Sequence, residues 1–338
     1  MPELDHGRDR FLPSLPYHVI WGITSACNAS CSRCYAGAGS RSAGEISTKR
    51  AFEILEELSR IGIFDIAFTG GEPLMRKDLF KLIEKAASLD MEPGLSTNGS
   101  LLDRKMAAKL RDSGISRVQV SIDGIGKKHD SLRGMKGLFD MAVNALENCA
   151  AEEVPTVICF TVSRENMDQL KDVMDLGLSR GVADFNISIF VPTGRGDRRM
   201  ALLPEDTERL YSFWNEHRMS GKKPWLKFHT AKMDIVAHKP LPPSHIGCQA
   251  GCGTSYIDPL GNVAPCVLLP LPIGNLQKNS FFNVWTTSGL NQRLRERNLE
   301  GKCSSCTYKN TCGGCRAMAY AQTGNLFGED QSCWMKEN

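Results

Sequence analysis

The chain has 338 residues, of which 41% are hydrophobic and 23% are charged, and its formal net charge is +3. A chain of this length and composition can bury a full hydrophobic core and has room for one large and one small domain. The small net charge, with no basic segments between aromatic residues, argues against nucleic acid or an anionic membrane as a partner.

The expected location is the cytoplasm. The first 21 residues, MPELDHGRDRFLPSLPYHVIW, contain neither an apolar core segment nor a small-residue cleavage site, so we predict no secretory signal. The longest apolar run, APCVLLPLPIG, is short and is interrupted by three prolines, so no segment is expected to span a bilayer.

Short β-rich segments alternate with helical stretches from Tyr17 to Val191. The six segments are HVIWGIT, IFDIAFT, MEPGLST, RVQVSI, TVICFTV and DFNISIF. Repeated strand–helix units indicate a parallel sheet with right-handed crossovers, and six units are too few to close an eight-stranded barrel. We therefore predict an α/β fold, a partial (β/α)6 barrel similar to a TIM barrel. In such folds the functional loops follow the C-terminal ends of the strands.

Helical periodicity separates the strands. We predict a buried stripe on each of the first two helices and a left-handed cap at Gly114 after the third. The stripe residues are Phe52, Leu55, Leu58 and Ile61 on the first helix, and Leu79, Leu82, Ile83 and Ala86 on the second.

The alternation of strands and helices ends after Pro192. We therefore divide the chain into residues 1–192 (the barrel), 193–245 (a bridging helix and linker) and 246–338 (a small Cys-rich domain). The bridge begins with a charged loop and a helix with Pro204 in its first turn, and ends in the linker sequence KPLPPSH. The C-terminal part contains a hairpin-like SYIDPLGNVAP and a helix near residues 281–297.

The thirteen cysteines indicate metal or cluster ligation, because disulfides persist mainly in oxidising compartments and an odd number leaves one thiol unpaired. Cys27, Cys31 and Cys34 directly follow the first strand. Three thiolates on a cubic 4Fe–4S cluster leave one iron without a protein ligand, and an open position of this kind is where a substrate or cofactor binds.

The sequence CNASCSRC resembles the CxxxCxxC signature of radical S-adenosylmethionine (radical SAM) enzymes. The resemblance implies that the open iron chelates the amino and carboxylate groups of S-adenosylmethionine. It also implies that an electron from the cluster cleaves the cofactor to a deoxyadenosyl radical, which takes a hydrogen atom from the substrate. An electron donor such as ferredoxin or flavodoxin is expected. The cofactor and cluster supply the difficult chemistry, and the protein positions them.

Further motifs follow the next strands. FTGGEP resembles the family's GGEP motif, STNG and SIDG follow the third and fourth strands, and an arginine matches one that pairs with the cofactor carboxylate. By this resemblance the cofactor-binding residues are Gly70, Gly71, Glu72, Pro73, Asn98, Ser121, Asp123 and Arg133. Taken singly, these motifs are typical of turns or surface charges, and a lone CxxxCxxC also suits zinc. Their order at successive strand ends favours the radical SAM interpretation.

The C-terminal cysteines resemble those of the SPASM domain, which holds auxiliary 4Fe–4S clusters. The family pattern implies one cluster on Cys248, Cys252, Cys266 and Cys315 and another on Cys303, Cys306, Cys312 and Cys333. The spacing before Cys315 is CxxC, whereas many members have CxxxC, so a single auxiliary cluster is the alternative to two. Paired CxxC motifs also suit zinc ribbons. Cys149 and Cys159 are expected to be small buried side chains without a role.

Two substrate classes compete. CYAGAG, FVPTGRG and the C-terminal cysteine run look closest to the tetrapyrrole group of the siroheme route, which includes didecarboxysiroheme deacetylase (iron-coproporphyrin synthase), haem synthase and the haem d1 enzyme. Arg195, Arg198 and Arg199 follow the sixth strand, where they would suit a polycarboxylate. We therefore expect a tetrapyrrole substrate, with a peptide-modifying maturase as the alternative. No general acid or base is identified, although His129 near SIDG merits a test.

Overall fold

The computed structural model describes residues 13–219, 226–229, 232 and 246–335. The N-terminal segment through residue 12 and the predicted linker KPLPPSH lie outside the described residues.

The sheet confirms the predicted parallel α/β architecture and extends it. The strands are β1 (His18–Thr24), β2 (Asp65–Gly70), β3 (Glu92–Thr97), β4 (Arg117–Ser121), β5 (Thr156–Val162), β6 (Asp184–Ile189), β7 (Leu226–His229), β8 (Thr254–Ile257), β9 (Asn262–Ala264) and β10 (Gly274–Asn275). Their order is β10-β9-β8-β1-β2-β3-β4-β5-β6-β7. Strand β8, from the predicted C-terminal domain, pairs in parallel with β1 and so continues the barrel sheet. The predicted hairpin is β8 and β9, which pair antiparallel.

The described helices are α1 (Thr48–Arg60), α2 (Leu79–Ala87), α3 (Arg104–Asp112), α4 (Lys127–Arg133), α5 (Leu138–Ala151), α6 (Leu170–Ser179), α7 (Pro204–Met219), α8 (Phe281–Thr286), α9 (Gly289–Glu296), α10 (Lys302–Ser305) and α11 (Arg316–Thr323). Pro204 opens α7 as expected. Gly114 has a φ of 83°, which confirms the left-handed cap after α3. In the described part of the chain, no helix combines the length and apolar character needed to cross a membrane.

The predicted stripe is confirmed on α2 and is partly wrong on α1. The buried residues of α2 are Leu79, Leu82, Ile83 and Ala86, as predicted. Those of α1 are Ala51, Ile54, Leu55 and Leu58. At 3.6 residues per turn, Phe52 and Ile61 are about 180° apart around the helix, so strict three-residue steps rotate off the buried face.

The single helix predicted near residues 281–297 is two helices. Ser288 lies between α8 and α9, and its side chain accepts a hydrogen bond from Asn291 N as the N-cap of α9. A serine side chain competes for backbone donors and favours a new helix start over continuation.

The two faces of the barrel sheet differ in chemistry. Side chains such as Trp21, Phe68 and Phe160 are fully buried beneath the helices. On the other face Gln119 Nε2 donates to Ser96 Oγ at 3.1 Å, and Asn186 Nδ2 donates to Gln119 Oε1 at 3.0 Å. A polar inner face of this kind suits the wall of a binding cavity better than it suits a packed barrel core.

Candidate functional site

The three cysteines of the predicted cluster motif lie together in the loop after β1. Cys27, Cys31 and Cys34 are each half-buried. Cys27 N donates to Gly39 O at 2.8 Å, which closes the loop. Burial raises the pKa of the Cys27 thiol, and the neighbouring Glu72, Cys31 and Cys34 raise it further. The structure therefore brings together the three thiols that the sequence singled out.

The two glycines of the GGEP segment fit closely against the base of this loop. Gly71 N donates to Thr24 O at 2.7 Å, and Glu72 N donates to Ala26 O at 2.7 Å. A Cβ atom on Gly71 would lie 2.1 Å from Ala26 O, and one on Gly70 would lie 2.3 Å from Thr24 O. The absent side chains thus allow the end of β2 to contact the chain's own cysteine loop.

Glu72 joins the ends of β2 and β3. Its carboxylate is fully buried and accepts hydrogen bonds from Thr97 Oγ1 and Asn98 N, both at 2.8 Å. It also accepts from Leu74 N, at the start of the short 3-10 turn that Pro73 opens. Burial raises the pKa of this carboxyl group. The side chain of Glu72 is therefore engaged by protein donors.

Asn98 connects the STNG segment to the cysteine loop. Its Nδ2 donates to Asn28 Oδ1 at 3.0 Å, one residue after Cys27. Its Oδ1 accepts from Ser100 N at 2.8 Å, which fixes the amide orientation.

Asp123, in the SIDG segment, is fully buried between two arginines. Its Oδ2 lies 2.9 Å from Arg33 Nη2 and forms a second ion pair with Arg133 Nη2. Burial alone would raise the pKa of Asp123, but the charges of Arg133 and Arg33 outweigh it and lower the pKa to about 2. Arg133, predicted to bind the cofactor carboxylate, is thus paired with a carboxylate of the protein. Ser121 is the half-buried last residue of β4.

Two buried donors beside this pair have no hydrogen-bond acceptor among the described residues. They are Arg133 Nε and His129 Nε2. His129 Nδ1 accepts from Asp123 N at 3.0 Å, which assigns the ring proton to Nε2. Burial lowers the pKa of His129 to about 4, so the ring is neutral near pH 7. Unpaired buried donors are costly and indicate a place for an acceptor from a bound group.

Arg33 is a site residue that sequence reasoning missed. It lies inside the cysteine motif, yet its side chain is 4% exposed and its Nη1 donates to Ser163 Oγ at 2.9 Å. Asn166 also holds the SIDG segment in place, because its Nδ2 donates to Asp123 O at 2.8 Å. The only sign of its role in the sequence is its position between the predicted ligands Cys31 and Cys34, and this position does not indicate which residue it pairs with.

Two of the arginines after β6, for which the sequence predicts a polycarboxylate substrate, have partners within the protein. Arg195 donates from Nε to Cys31 O at 2.9 Å and from Nη1 to Ala38 O at 2.7 Å, and its backbone N donates to Cys34 O at 3.0 Å. Arg199 pairs with Asp197 at the surface, at 2.6 Å. Arg198 is exposed in a short 3-10 turn. The carbonyls of the cysteine loop bind Arg195, and no local pattern in the sequence indicates that the two loops meet.

A pair of tyrosines lies beside the cysteine loop. Tyr35 and Tyr256 pack edge to face with ring centroids 6.3 Å apart. Tyr256 belongs to β8, so the C-terminal part of the chain contributes a side chain next to Cys34. Burial raises the pKa of Tyr35 to about 12. No local pattern in the sequence predicts this contact.

The eight C-terminal cysteines fall near two places. One cavity is lined by Cys303, Cys306, Cys312 and Cys333. Burial and the nearby Cys248 thiol raise the pKa of Cys252 and Cys266 to about 11. Burial, Asp330 and Cys248 raise the pKa of Cys315 to about 12. The division of the C-terminal cysteines into two ligand sets stays a prediction. Among the described residues, no group of three or more Cys, His, Asp or Glu side chains is arranged so that it could hold a metal ion.

Comparison with known proteins gives the family. Residues 21–177 match the model of the radical SAM superfamily, and residues 248–307 match that of an iron–sulfur cluster-binding domain, SPASM. The chain is 32% identical to an AdoMet-dependent heme synthase of Methanosarcina barkeri over 95% of this chain and 97% of the relative. The chain belongs to the radical SAM superfamily.

Two further relatives are informative about the range of functions within this radical SAM family. A mycofactocin maturase, MftC, of Mycolicibacterium smegmatis is 35% identical over 98% of this chain and 86% of its own. An Fe-coproporphyrin III synthase of Methanosarcina barkeri is 30% identical over 98% of this chain and 93% of its own. With the two family matches, the chain is a radical SAM enzyme that uses S-adenosylmethionine, a 4Fe–4S cluster and one or two auxiliary iron–sulfur clusters, as predicted.

A solved structure supports the fold. The structure of Streptococcus suis SuiB bound to S-adenosylmethionine superposes with a TM-score of 0.79 at 18% identity, and covers 95% of this chain and 78% of that one. At this identity the likeness concerns the architecture, and it confirms the predicted partial barrel with a C-terminal iron–sulfur region.

Proposed function

We propose that Cys27, Cys31 and Cys34 ligate the 4Fe–4S cluster whose open iron binds S-adenosylmethionine. With the cluster reduced by a donor such as ferredoxin or flavodoxin, the bound cofactor would supply the radical that takes a hydrogen atom from the substrate. The half-buried thiols support the ligand set. Iron binding requires thiolates. The nearby Cys31 and Cys34 raise the pKa of the Cys27 thiol because their negative charges repel a thiolate there, and bound iron would compensate those charges.

The residues around the cysteines fit the amino and carboxylate ends of this cofactor. We assign its carboxylate to the unpaired donors of Arg133 Nε and His129 Nε2, next to Asp123. Gly70, Gly71, Glu72 and Pro73 form the neighbouring wall, and Asn98 and Ser121 complete it at the ends of β3 and β4. Because the carboxylate of Glu72 is engaged by Thr97 and Asn98, its part is to shape this wall.

We propose that the C-terminal cysteines hold two auxiliary clusters. Cys248, Cys252, Cys266 and Cys315 would ligate one, and Cys303, Cys306, Cys312 and Cys333 the other. The cavity lined by the second set supports this division. We also propose the functional division of the chain into 1–192, 193–245 and 246–338, although β8 places part of the last segment in the barrel sheet.

The substrate that we propose is a tetrapyrrole of the siroheme route, whose side chain is modified after hydrogen abstraction. The observation that carries this proposal is that two relatives at 30% identity or more, a heme synthase and an Fe-coproporphyrin III synthase, align with nearly their whole length. The inner face of the sheet, with Gln119, Asn186 and Ser96, is polar, which suits a substrate that carries polar side chains. The arginines of the loop after β6 no longer support the proposal, because Arg195 and Arg199 have partners in the protein.

Peptide modification is the second candidate function. The relative named mycofactocin maturase is 35% identical over 98% of this chain, so sequence identity alone does not separate the two substrate classes.

A substrate assay under anaerobic conditions separates them. Reconstituted enzyme, S-adenosylmethionine and reductant are incubated with didecarboxysiroheme, with iron-coproporphyrin III or with a candidate precursor peptide. We expect deoxyadenosine release coupled to consumption of one tetrapyrrole, and none above background with Cys31→Ala. Coupled consumption of the peptide alone would establish the maturase function. Release of deoxyadenosine without turnover of any of the three would reject the tetrapyrrole proposal and retain the radical chemistry.

A further inference from the structure

Arg316 is a buried cation beside the cavity that Cys303, Cys306, Cys312 and Cys333 line. The residue is 3% exposed and follows Cys315 at the start of α11. Its Nη1 donates to Leu326 O at 3.0 Å and to Gly328 O at 2.7 Å, and its Nη2 points at Cys303 Sγ at 3.9 Å. The guanidinium is thus held by backbone carbonyls and directed at a thiol.

The charge of Arg316 is not balanced by a carboxylate within ion-pair distance among the described residues. The nearby Asp330 is taken by Lys232, whose Nζ lies 2.6 Å from Asp330 Oδ2 and 3.0 Å from Ser332 Oγ. Burying an uncompensated cation costs several kcal/mol. The thiolates of a bound cluster carry the opposite charge, so ligation at this cavity removes the cost.

The backbone at Gly314 leaves room for the Arg316 guanidinium to reach the Cys303 thiol. Gly314 has a φ of 59°, and a Cβ atom on it would lie 2.5 Å from Arg316 Nη2 and 3.3 Å from Cys303 Sγ. Gly314 N also donates to Cys312 Sγ at 3.3 Å, so two N–H donors already point at sulfurs of the same set. The absent side chain at Gly314 keeps the space between the guanidinium and the thiol open.

We propose that Arg316 is a positioning residue that raises the reduction potential of the auxiliary cluster held by Cys303, Cys306, Cys312 and Cys333, through a charge-assisted N–H···S hydrogen bond to the Cys303 thiolate. This inference rests on the ligand set proposed above. Hydrogen bonds to cluster sulfurs and nearby positive charge favour the reduced, more negative state and so raise the potential.

The test is an EPR-monitored redox titration of the reconstituted holoenzyme, with iron and sulfide counted in each preparation. Arg316→Gln removes the charge, and Arg316→Lys keeps a charge while losing the planar donor that reaches Cys303. Arg293→Gln is the matched control, because Arg293 is an exposed arginine of the same region that lies over the Phe327 ring. Cys303→Ser identifies which signal belongs to this cluster.

With Arg316→Gln we expect that signal alone to shift to more negative potentials. The expected change is about tenfold in the ratio of reduced to oxidised cluster at a fixed potential, or about 59 mV for a one-electron couple. Arg316→Lys should shift the potential of the same signal in the same direction. If Arg316→Gln does not load iron, the potential measured in Arg316→Lys is the test of the proposal. Arg293→Gln should leave it unchanged.

Two results would overturn the inference in distinguishable ways. Unchanged potentials in an iron-loaded Arg316→Gln or Arg316→Lys variant would reject the role of Arg316 and leave the proposed function intact. A full set of clusters in Cys303→Ala, which unlike Cys303→Ser has no oxygen that could ligate iron, would reject the ligand set and the inference together. Neither result depends on which substrate the enzyme takes.

Discussion

Arg33 Nη2 lies 2.9 Å from Asp123 Oδ2, and the two side chains are 4% and 1% exposed. An arginine inside the cysteine motif is therefore tied to the carboxylate that follows β4. This link holds the cysteine loop against the part of the site that we assign to the cofactor.

Replacing Arg33 should destabilise the fold more than replacing an arginine whose ion pair lies at the surface. In Arg33→Met a buried carboxylate loses one of its two cationic partners, and breaking a buried pair in this way costs about 3 kcal/mol or more. Arg199→Met is the control, because the side chains of Arg199 and its partner Asp197 are 89% and 37% exposed, and a surface pair of this kind is worth about 0–1 kcal/mol. Urea unfolding under anaerobic conditions measures both, and similar losses would contradict the structural importance of the Arg33–Asp123 pair.

Gly71→Ala should disrupt the cysteine loop. The new Cβ atom would lie 2.1 Å from Ala26 O, which is backbone and cannot move without displacing the loop. We expect the variant to hold less than half of the radical-cluster iron of the wild type. Gly39→Ala is the matched control, since a Cβ there meets no atom within 4 Å and Gly39 also lies in the loop. Iron counting after reconstitution measures the effect, and equal iron in the two variants would show that the close approach at Gly71 is not required.

Arg195→Met should loosen the loop without preventing cluster assembly. The side chain makes two hydrogen bonds to loop carbonyls in a partly exposed setting, so we expect a loss near 1.4 kcal/mol, or about tenfold faster release of iron to a chelator. Arg199→Met, which removes only a surface pair with Asp197, should release iron at the wild-type rate. Identical rates in the two variants would mean that Arg195 does not hold the loop.

The sequence predicted the features that depend on local pattern. The six strands, the buried face of α2, the cap at Gly114 and the placement of every motif after its strand follow from periodicity and from the order of short motifs. The three cysteines and the segments containing Glu72, Asn98 and Asp123 meet because C-terminal ends of parallel strands share one edge of a sheet.

The sequence did not predict the contacts between distant loops. Arg195 and Cys31 are separated by 164 positions, and Arg33 and Ser163 by 130. An arginine in a charged loop has the same local pattern whether it binds a ligand, a carbonyl or water. The pairing of β8 with β1 was missed for the same reason, because a four-residue strand carries no signal of which edge it joins.

His129 should make stability depend on pH between its unfolded and folded pKa values. Its pKa is lowered from 6.5 to about 4 by burial and by the charge of Arg133, which together outweigh the opposing charges of Asp123 and Asp130. Below pH 6.5 the unfolded chain takes up a proton at this residue while the folded protein does not. The stability contribution is therefore complete above that pH and is lost progressively as the pH falls towards 4.

His129→Gln isolates this effect. A glutamine oxygen can still accept the hydrogen bond from Asp123 N, but the side chain binds no proton. Between pH 7 and pH 5 we expect the free energy of unfolding to fall by about 2 kcal/mol less in the variant than in the wild type. Urea unfolding followed by tryptophan fluorescence at the two pH values gives this difference directly. Parallel pH dependences would mean that His129 titrates normally in the folded protein and is not the neutral donor that we place beside the cofactor carboxylate.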